Sequence, residues 1–442
     1  MYLSRTIDEP LFLWKSAQNR KPLILRGTRQ VGKTSSVRNL ARHFKHFVEI
    51  NFDETPDYKA VFENTMTVSD VCEKLAVLTN TPIIPGETLL FLDEIQTSIP
   101  AITMLRYFYE KMPDLHVIAA GSLLEFALAD IPSFGTGRVR SVFMYPLCFR
   151  EFLLAQKEYL LLELLDGLNE IKPLSEPIHQ KLINLHKKFL IIGGMPEAVR
   201  TYIDNKDMLE VQRVLNDLVI SIQADFTKYK NRVSASRLIE VYNAIALQTA
   251  TKFTYSYPNA TLSNVQVKEA LELLKMAGLI YPVTHSAANG IPLGAEINPK
   301  KIKYLIFDTG IFQRILGLNI ADLMIREDFS AINKGYIAEL HVGLELIKAE
   351  SCYEKTELYY WQREAKNSQA EVDYVCQFEN NIVPVEVKAG TKGSMQSMYL
   401  FLKEKNLPQG FRISFENFSS VGQITIVPIY AVQYLRRYLL KK

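Results

Sequence analysis

Residues Gly27-Thr28-Arg29-Gln30-Val31-Gly32-Lys33-Thr34 spell G-x-x-x-x-G-K-T. That spacing lets a backbone close round a phosphate. Glycines at the first and sixth positions admit dihedrals and approach distances that a Cβ forbids. N–H groups from Gly27, Thr28, Arg29, Gln30, Val31, Gly32, Lys33, Thr34 and Ser35 would ring the phosphate, with the positive end of the following helix behind them. Lys33 would neutralise the outer oxygens, and the Thr34 hydroxyl would be a magnesium ligand. The plain alternative is a glycine-rich turn with a solvated lysine.

Such a loop needs an acid on a neighbouring strand. Leu89-Leu90-Phe91-Leu92-Asp93-Glu94 offers four apolar residues that bury a strand and two acids at its carboxyl end. Ligands of open parallel sheets bind at that end. Asp93 would hold magnesium or its water, and Glu94 would act as general base on an attacking water. A helix-capping acid pair is the other reading. Ser122, after the run VIAAGS, could bond the water or the γ-phosphate, or cap a helix. Arg138 could reach the γ-phosphate of a neighbouring copy of the chain, or lie solvated in its loop.

A second constellation lies near the other end. Asp373, Glu386 and Lys388 read D-x12-E-x-K, a spacing that resembles restriction-endonuclease-like metal nucleases. EVDYVCQF and NIVPVEVK alternate like two strands about Glu379–Asn380. A two-residue turn there sets 373 opposite 386 and 371 opposite 388. Residues two apart share a face, so Glu371, Asp373, Glu386 and Lys388 converge. Asp373 and Glu386 could hold Mg²⁺ or Mn²⁺, with Lys388 orienting the metal-bound water. Glu339, on the preceding helix, resembles the helical carboxylate that completes such sites. Trp361, Gln362 and Arg363 could line a groove. The other reading is a solvated face of cross-strand ion pairs, such as Glu371 with Lys388.

The elements that must position these residues follow from hydrophobic patterning. PLILRG, HFVEINF, TLLFLDE and LHVIAAGS read as short buried strands with amphipathic segments between them, hence a parallel sheet covered by helices. Residues 151–235 have helical periodicity, broken at Gly193-Gly194-Met195-Pro196. Residues 236–329 read as helices followed by a hairpin that turns at Ala288–Gly290, the outline of a winged helix. Its basic run NPKKIKYLIF could be a wing touching phosphate, or a solvated charge run. The helix VQVKEALELLKMAG carries Lys268 and Lys275 but also Glu269 and Glu272, a poor basic face. Residues 330–442 return to α/β.

Composition bounds the rest. The chain has 442 residues, enough for about three domains. Its 48% hydrophobic content excludes wholesale disorder. Lys+Arg number 51 and Asp+Glu 48, so a net charge of +3 gives no bulk case for nucleic acid. No stretch of about 18 uninterrupted apolar residues suggests a membrane span. Cys72, Cys148, Cys352 and Cys376 form no C-x-x-C pair, which reads as a reduced, cytoplasmic protein without structural zinc.

The chain resembles the prokaryotic AAA-type P-loop ATPases that carry an uncharacterised C-terminal module with a nuclease-like end. GTRQVGKT, LLFLDEIQ, IAAGSLLEF, GRVRSVFMYPLCFREFL, GGMPEAV and DLVISIQADFTKY carry the resemblance. Cys148 departs from it, standing where a small hydroxyl residue is usual. The resemblance implies an α/β chain: an ATPase core over 1–150, a helical lid over 151–235, a winged-helix-like domain over 236–329 and a nuclease-like domain over 330–442. It also implies ATP rather than GTP. The expected function is ATP hydrolysis with Mg²⁺, coupled to DNA binding or cleavage. The alternative is an ATP-dependent switch whose inert C-terminal module docks a protein partner. A homo-oligomer is compatible with either.

Overall fold

Alternate residues of the first strands feed two different cores. In Thr88–Asp93, Leu89 and Phe91 join one apolar cluster and Leu90 and Leu92 the other. A strand buried on both faces belongs inside a parallel sheet covered by helices. In the computed structural model this sheet holds β1 (Leu23–Arg26), β2 (His46–Asn51), β3 (Thr88–Asp93), β4 (His116–Ala120) and β5 (Arg140–Phe143). The order is β2-β3-β4-β1-β5, and every pairing is parallel. The first four strands are those the patterning predicts. β5 is additional. It is a four-residue edge strand with one buried residue, Val142, so hydrophobicity does not announce it.

The structure describes residues 2–63, 67–122, 124–129, 131, 137–229, 233–256, 262–318, 334–365, 370–388 and 395–439. The chain folds as two compact units. One comprises Met1–Tyr145, Met276–Gly278 and Ser351–Lys355; the other comprises Pro146–Lys275, Leu279–Glu350 and Thr356–Lys442. The second unit thus takes in together the segments that the sequence reading separates at 235/236 and 329/330. The boundary at 329/330 lies outside the described residues.

The second unit begins with helices, among them Glu176–Ile192, Pro196–Asn205 and Met208–Asp225. Its sheet contains β6 (Ile280–Ser286), β7 (Ile297–Ile306), β8 (Leu358–Gln362), β9 (Glu371–Phe378), β10 (Asn381–Lys388), β11 (Gly410–Ser414), β12 (Ser419–Val421) and β13 (Ile424–Pro428). Their order is β12-β13-β11-β10-β9-β8-β6-β7. The hairpin β6–β7, which the sequence reading gives to a separate middle domain, is therefore the edge of this sheet, joined through parallel pairing of β6 with β8. The overall architecture is mixed α/β: an N-terminal parallel sheet, helical segments and a β-rich C-terminal part. Among the described residues no helix is long and apolar enough to cross a membrane, and the four cysteines are unpaired.

The break at Gly193-Gly194 is held by one buried carboxylate. Asp308 accepts from Gly194 N at 2.6 Å and from Ile311 N at 3.0 Å, capping the helix Thr309–Ile315. Gly193 has φ +74, and a Cβ there would lie 2.3 Å from Asp308 Oδ1. Asp308 is 1% exposed. Removing its side chain leaves buried N–H groups without partners, each worth about 1–3 kcal/mol. Asp308→Ala should therefore lower the urea midpoint of unfolding followed by circular dichroism, by an amount corresponding to about 2–5 kcal/mol. Asp308→Asn, which keeps an acceptor oxygen, should recover part of it. An unchanged midpoint in the alanine variant would refute this role.

Candidate functional site

Strand order explains why three segments meet in the first unit. β4 lies between β3 and β1, so the carboxyl ends of all three are adjacent. β1 runs into the Gly27–Thr34 loop, β3 ends at Asp93, and Gly121-Ser122 follow β4. The loop turns back at Gln30 (φ 61) and Gly32 (φ 97), and the helix Lys33–Ala41 begins at once. Gly27 has φ +149, and a Cβ on it would stand 2.1 Å from the Met144 carbonyl oxygen, so only glycine fits.

Lys33 is 8% exposed. Its ammonium donates to the carbonyls of Gly27 (2.8 Å) and Thr28 (2.9 Å). Burial lowers its pKa to about 8, against the opposing pull of Glu94 and Asp93. Thr34 Oγ1 donates to Asp93 Oδ2 at 2.7 Å. Asp93 is 4% exposed, and burial raises its carboxyl above the usual range. Two oxygen groups side by side at the head of such a loop fit magnesium, which takes one or two protein oxygens and leaves the rest of its shell to water and phosphate.

Glu94 adopts φ 51, uncommon for a residue with a side chain. Its Oε2 accepts from Gln96 Nε2 and from Ser122 Oγ (3.3 Å), and Arg29 Nε donates to Ser122 Oγ at 3.2 Å. Ser122 thus ties the candidate base to the loop. Thr28 and Val31 are buried, whereas Gln30 and Ser35 face solvent. Arg138 stands apart. It precedes β5, at the amino end of the sheet, and is ion-paired with Glu110; within one chain it does not join this cluster. Sequence reasoning passes over Arg5, which is 8% exposed and donates to Val31 O and Tyr145 O, both at 2.7 Å. It also passes over Gln96. Arg5 belongs to no motif, and Gln96, though it closes the LLFLDEIQ run, is given no role there.

In the second unit the β9–β10 turn is the expected two-residue one. Phe378 pairs with Asn381 and Tyr374 with Val385, which is the register that brings Asp373 beside Glu386. The ion pairs differ from expectation. Lys388 Nζ lies 2.6 Å from Glu386 Oε1, while Glu371 pairs with Lys303 of β7, at 2.6 Å. Lys303 also lies 3.1 Å from Glu339 Oε1. The expectation of a basic wing fails at Lys303, which is 1% exposed. Lys301 of the same run pairs with Glu364. Asp373 Oδ2 accepts from Val387 N at 2.8 Å, and Glu386 Oε2 is buried without a partner. Trp361 lines no groove: it is 3% exposed and packs edge-on against Phe401. Arg363 is paired with Glu404.

A metal does not fit this cluster as folded. Among the described residues no three His, Cys, Asp or Glu side chains are grouped to hold one. Lys303 takes Glu339 and Glu371, and Lys388 takes one oxygen of Glu386.

Comparison with known proteins places an AAA domain over residues 19–153, a domain of unknown function (DUF8612) over 183–322 and a second (DUF4143) over 334–432. The chain therefore contains an AAA-type P-loop ATPase domain and a distinct C-terminal module. No curated protein matches it. Among the solved structures that align with the chain are three at 12% identity each. The Aeropyrum pernix ORC1 protein in complex with DNA is covered over 92% of its length by 73% of this chain, with a TM-score of 0.24. A signal transduction ATPase (STAND) protein with a tetratricopeptide repeat sensor from Pyrococcus horikoshii is covered over 46% by 79% of this chain, with a TM-score of 0.27. Drosophila ORC bound to DNA is covered over 94% by 70% of this chain, with a TM-score of 0.28.

The carboxylates of the second cluster set a pH dependence. Burial, with Asp373 beside it, raises the Glu386 carboxyl from 4.5 to about 7, and burial also raises Asp373 and Glu339. Between those two values the folded state holds more protons than the unfolded chain. Stability is therefore greater at the acid end and falls as pH rises from about 4.5 through about 7. Urea midpoints across this interval should decline, and Glu386→Gln should flatten the decline. A midpoint that rises with pH in the parent, unchanged by the substitution, would contradict the assignment.

Proposed function

We propose that the chain binds ATP at the Gly27–Thr34 loop, hydrolyses it, and uses the cycle to control what its C-terminal module holds. The observation that supports this best is the 2.7 Å contact of Thr34 with Asp93 beside a buried Lys33. Lys33 leaves its two loop carbonyls for phosphate oxygens, an exchange of neutral acceptors for charged ones. Magnesium, bound through Thr34 and Asp93, would offset charge on the β- and γ-phosphates. Glu94, steadied by Gln96 and Ser122, takes the proton of the attacking water. Ser122 and Arg29 relay the state of that position to the loop.

Lys33→Ala should abolish ATP binding, or weaken it by several orders of magnitude. Glu94→Gln should retain binding while turnover falls by about 10²–10⁴-fold, the span of a general base. Calorimetric titration with ATP and a phosphate-release assay check both. Parent-like turnover in both variants would refute the site.

For the C-terminal module, the D-x12-E-x-K spacing supports action on DNA, as grip or as cleavage. The engagement of Lys303 favours a second reading, in which the module is inert and docks a protein partner in an ATP-dependent way. Incubating linear and circular DNA with Mg²⁺ or Mn²⁺, with and without ATP, separates the two. Cleavage lost in Asp373→Ala/Lys388→Ala supports the nuclease. No cleavage by the parent under either metal supports the docking module.

A further inference from the structure

The C-terminal charge cluster draws on chain segments on both sides of the stretch 319–333. Lys303 stands on β7; Glu339 is on the helix Lys334–Lys348, and Glu371, Asp373 and Glu386 are on β9 and β10. The Lys303 ammonium lies 2.6 Å from Glu371, 3.1 Å from Glu339 and 5.0 Å from the centroid of the Tyr360 ring. Tyr360 is fully buried, so the ammonium has an aromatic face on one side and carboxylates on the other. A cation so enclosed does electrostatically what a bound metal ion would do: it neutralises carboxylates that burial would otherwise drive to protonate.

We propose that Lys303 is the resident cation of this cluster and that it keeps divalent metal out. The inference deepens the docking-module reading and rests on it. A metal taking the carboxylates of Lys303 would strand an ammonium in the interior, the arrangement that breaking a buried ion pair makes unfavourable. Lys388 cannot relieve it, because it is already committed to Glu386. The module is thus a metal-free relative of a metal-binding arrangement, with a lysine from the neighbouring hairpin in the cation's place.

The test is titration of the whole chain with Mn²⁺ alone, without nucleotide, following free Mn²⁺ by electron paramagnetic resonance up to about 1 mM, the weak end of oxygen-ligand cation sites. The parent and Glu386→Gln should give coincident isotherms. Lys303→Met, which keeps the length of the stem and removes the charge, should gain one Mn²⁺ site. Lys303→Met/Glu386→Gln should lose it again. A parent that binds one Mn²⁺ more than Glu386→Gln overturns the proposal, as does a folded Lys303→Met that gains no site. If Lys303→Met does not fold, the comparison of parent with Glu386→Gln decides alone: coincidence supports the proposal and divergence overturns it. Failure here is distinct from failure of the docking-module reading, which the DNA incubation with and without ATP judges separately.

Discussion

A lysine taken out of water must be given something to hold, and what it is given decides what the site can do. The two candidate sites differ in that one respect. Lys33 and Lys303 are both buried, yet their pKa values move in opposite directions. Lys33 rests on two neutral carbonyls, and burial outweighs the carboxylates nearby, so its pKa falls to about 8. Its charge is under-compensated, which leaves it ready for an anionic ligand. For Lys303, burial also acts downward, but Glu339, Asp373 and Glu371 outweigh it and its pKa rises. Its charge is spoken for within the fold.

The first arrangement depends on the parallel sheet. A strand buried on both faces cannot turn its polar ends inward, so Asp93, Ser122 and the loop all emerge where β3, β4 and β1 finish. Adjacent strands lie about 4.8 Å apart, which sets the spacing of the groups they carry. The contact of Ser122 with both Glu94 and Arg29 follows from β4 lying between the other two.

Most of that site was legible in the sequence, because the loop motif is contiguous and β3 and β4 are apolar throughout. The register of β9 and β10 was legible too, because Glu379–Asn380 leaves only a two-residue turn between alternating runs. Lys303 was not. In NPKKIKYLIF nothing local separates a lysine facing solvent from one facing carboxylates more than thirty residues further along. That distinction is made when β6 pairs with β8 and the hairpin joins the larger sheet. Trp361 was misplaced for a related reason. Its nearness to the acidic strands offered it to a groove but could not say that Phe401 covers it. Arg5 acts through hydrogen bonds to the carbonyls of Val31 and Tyr145, and Gln96 through one to Glu94, contacts that leave no pattern in sequence.

Charge balance gives the second cluster its character. Glu339, Glu371, Asp373 and Glu386 carry four formal negative charges against two from Lys303 and Lys388, an excess of two if all are ionised. Burial does not tolerate that excess: it raises Glu386, whose Oε2 lacks a partner, to about 7, and raises Asp373 and Glu339 as well. Lysines and protons together can therefore neutralise the cluster without metal. Substitutions should consequently act with opposite signs. Removing a carboxylate relieves repulsion among those that remain, whereas removing Lys303 exposes Glu339 and Glu371 to each other. The hairpin that carries Lys303 is thereby fastened to the strands that carry the acids, so the edge of the sheet and its charge cluster stand or fall together.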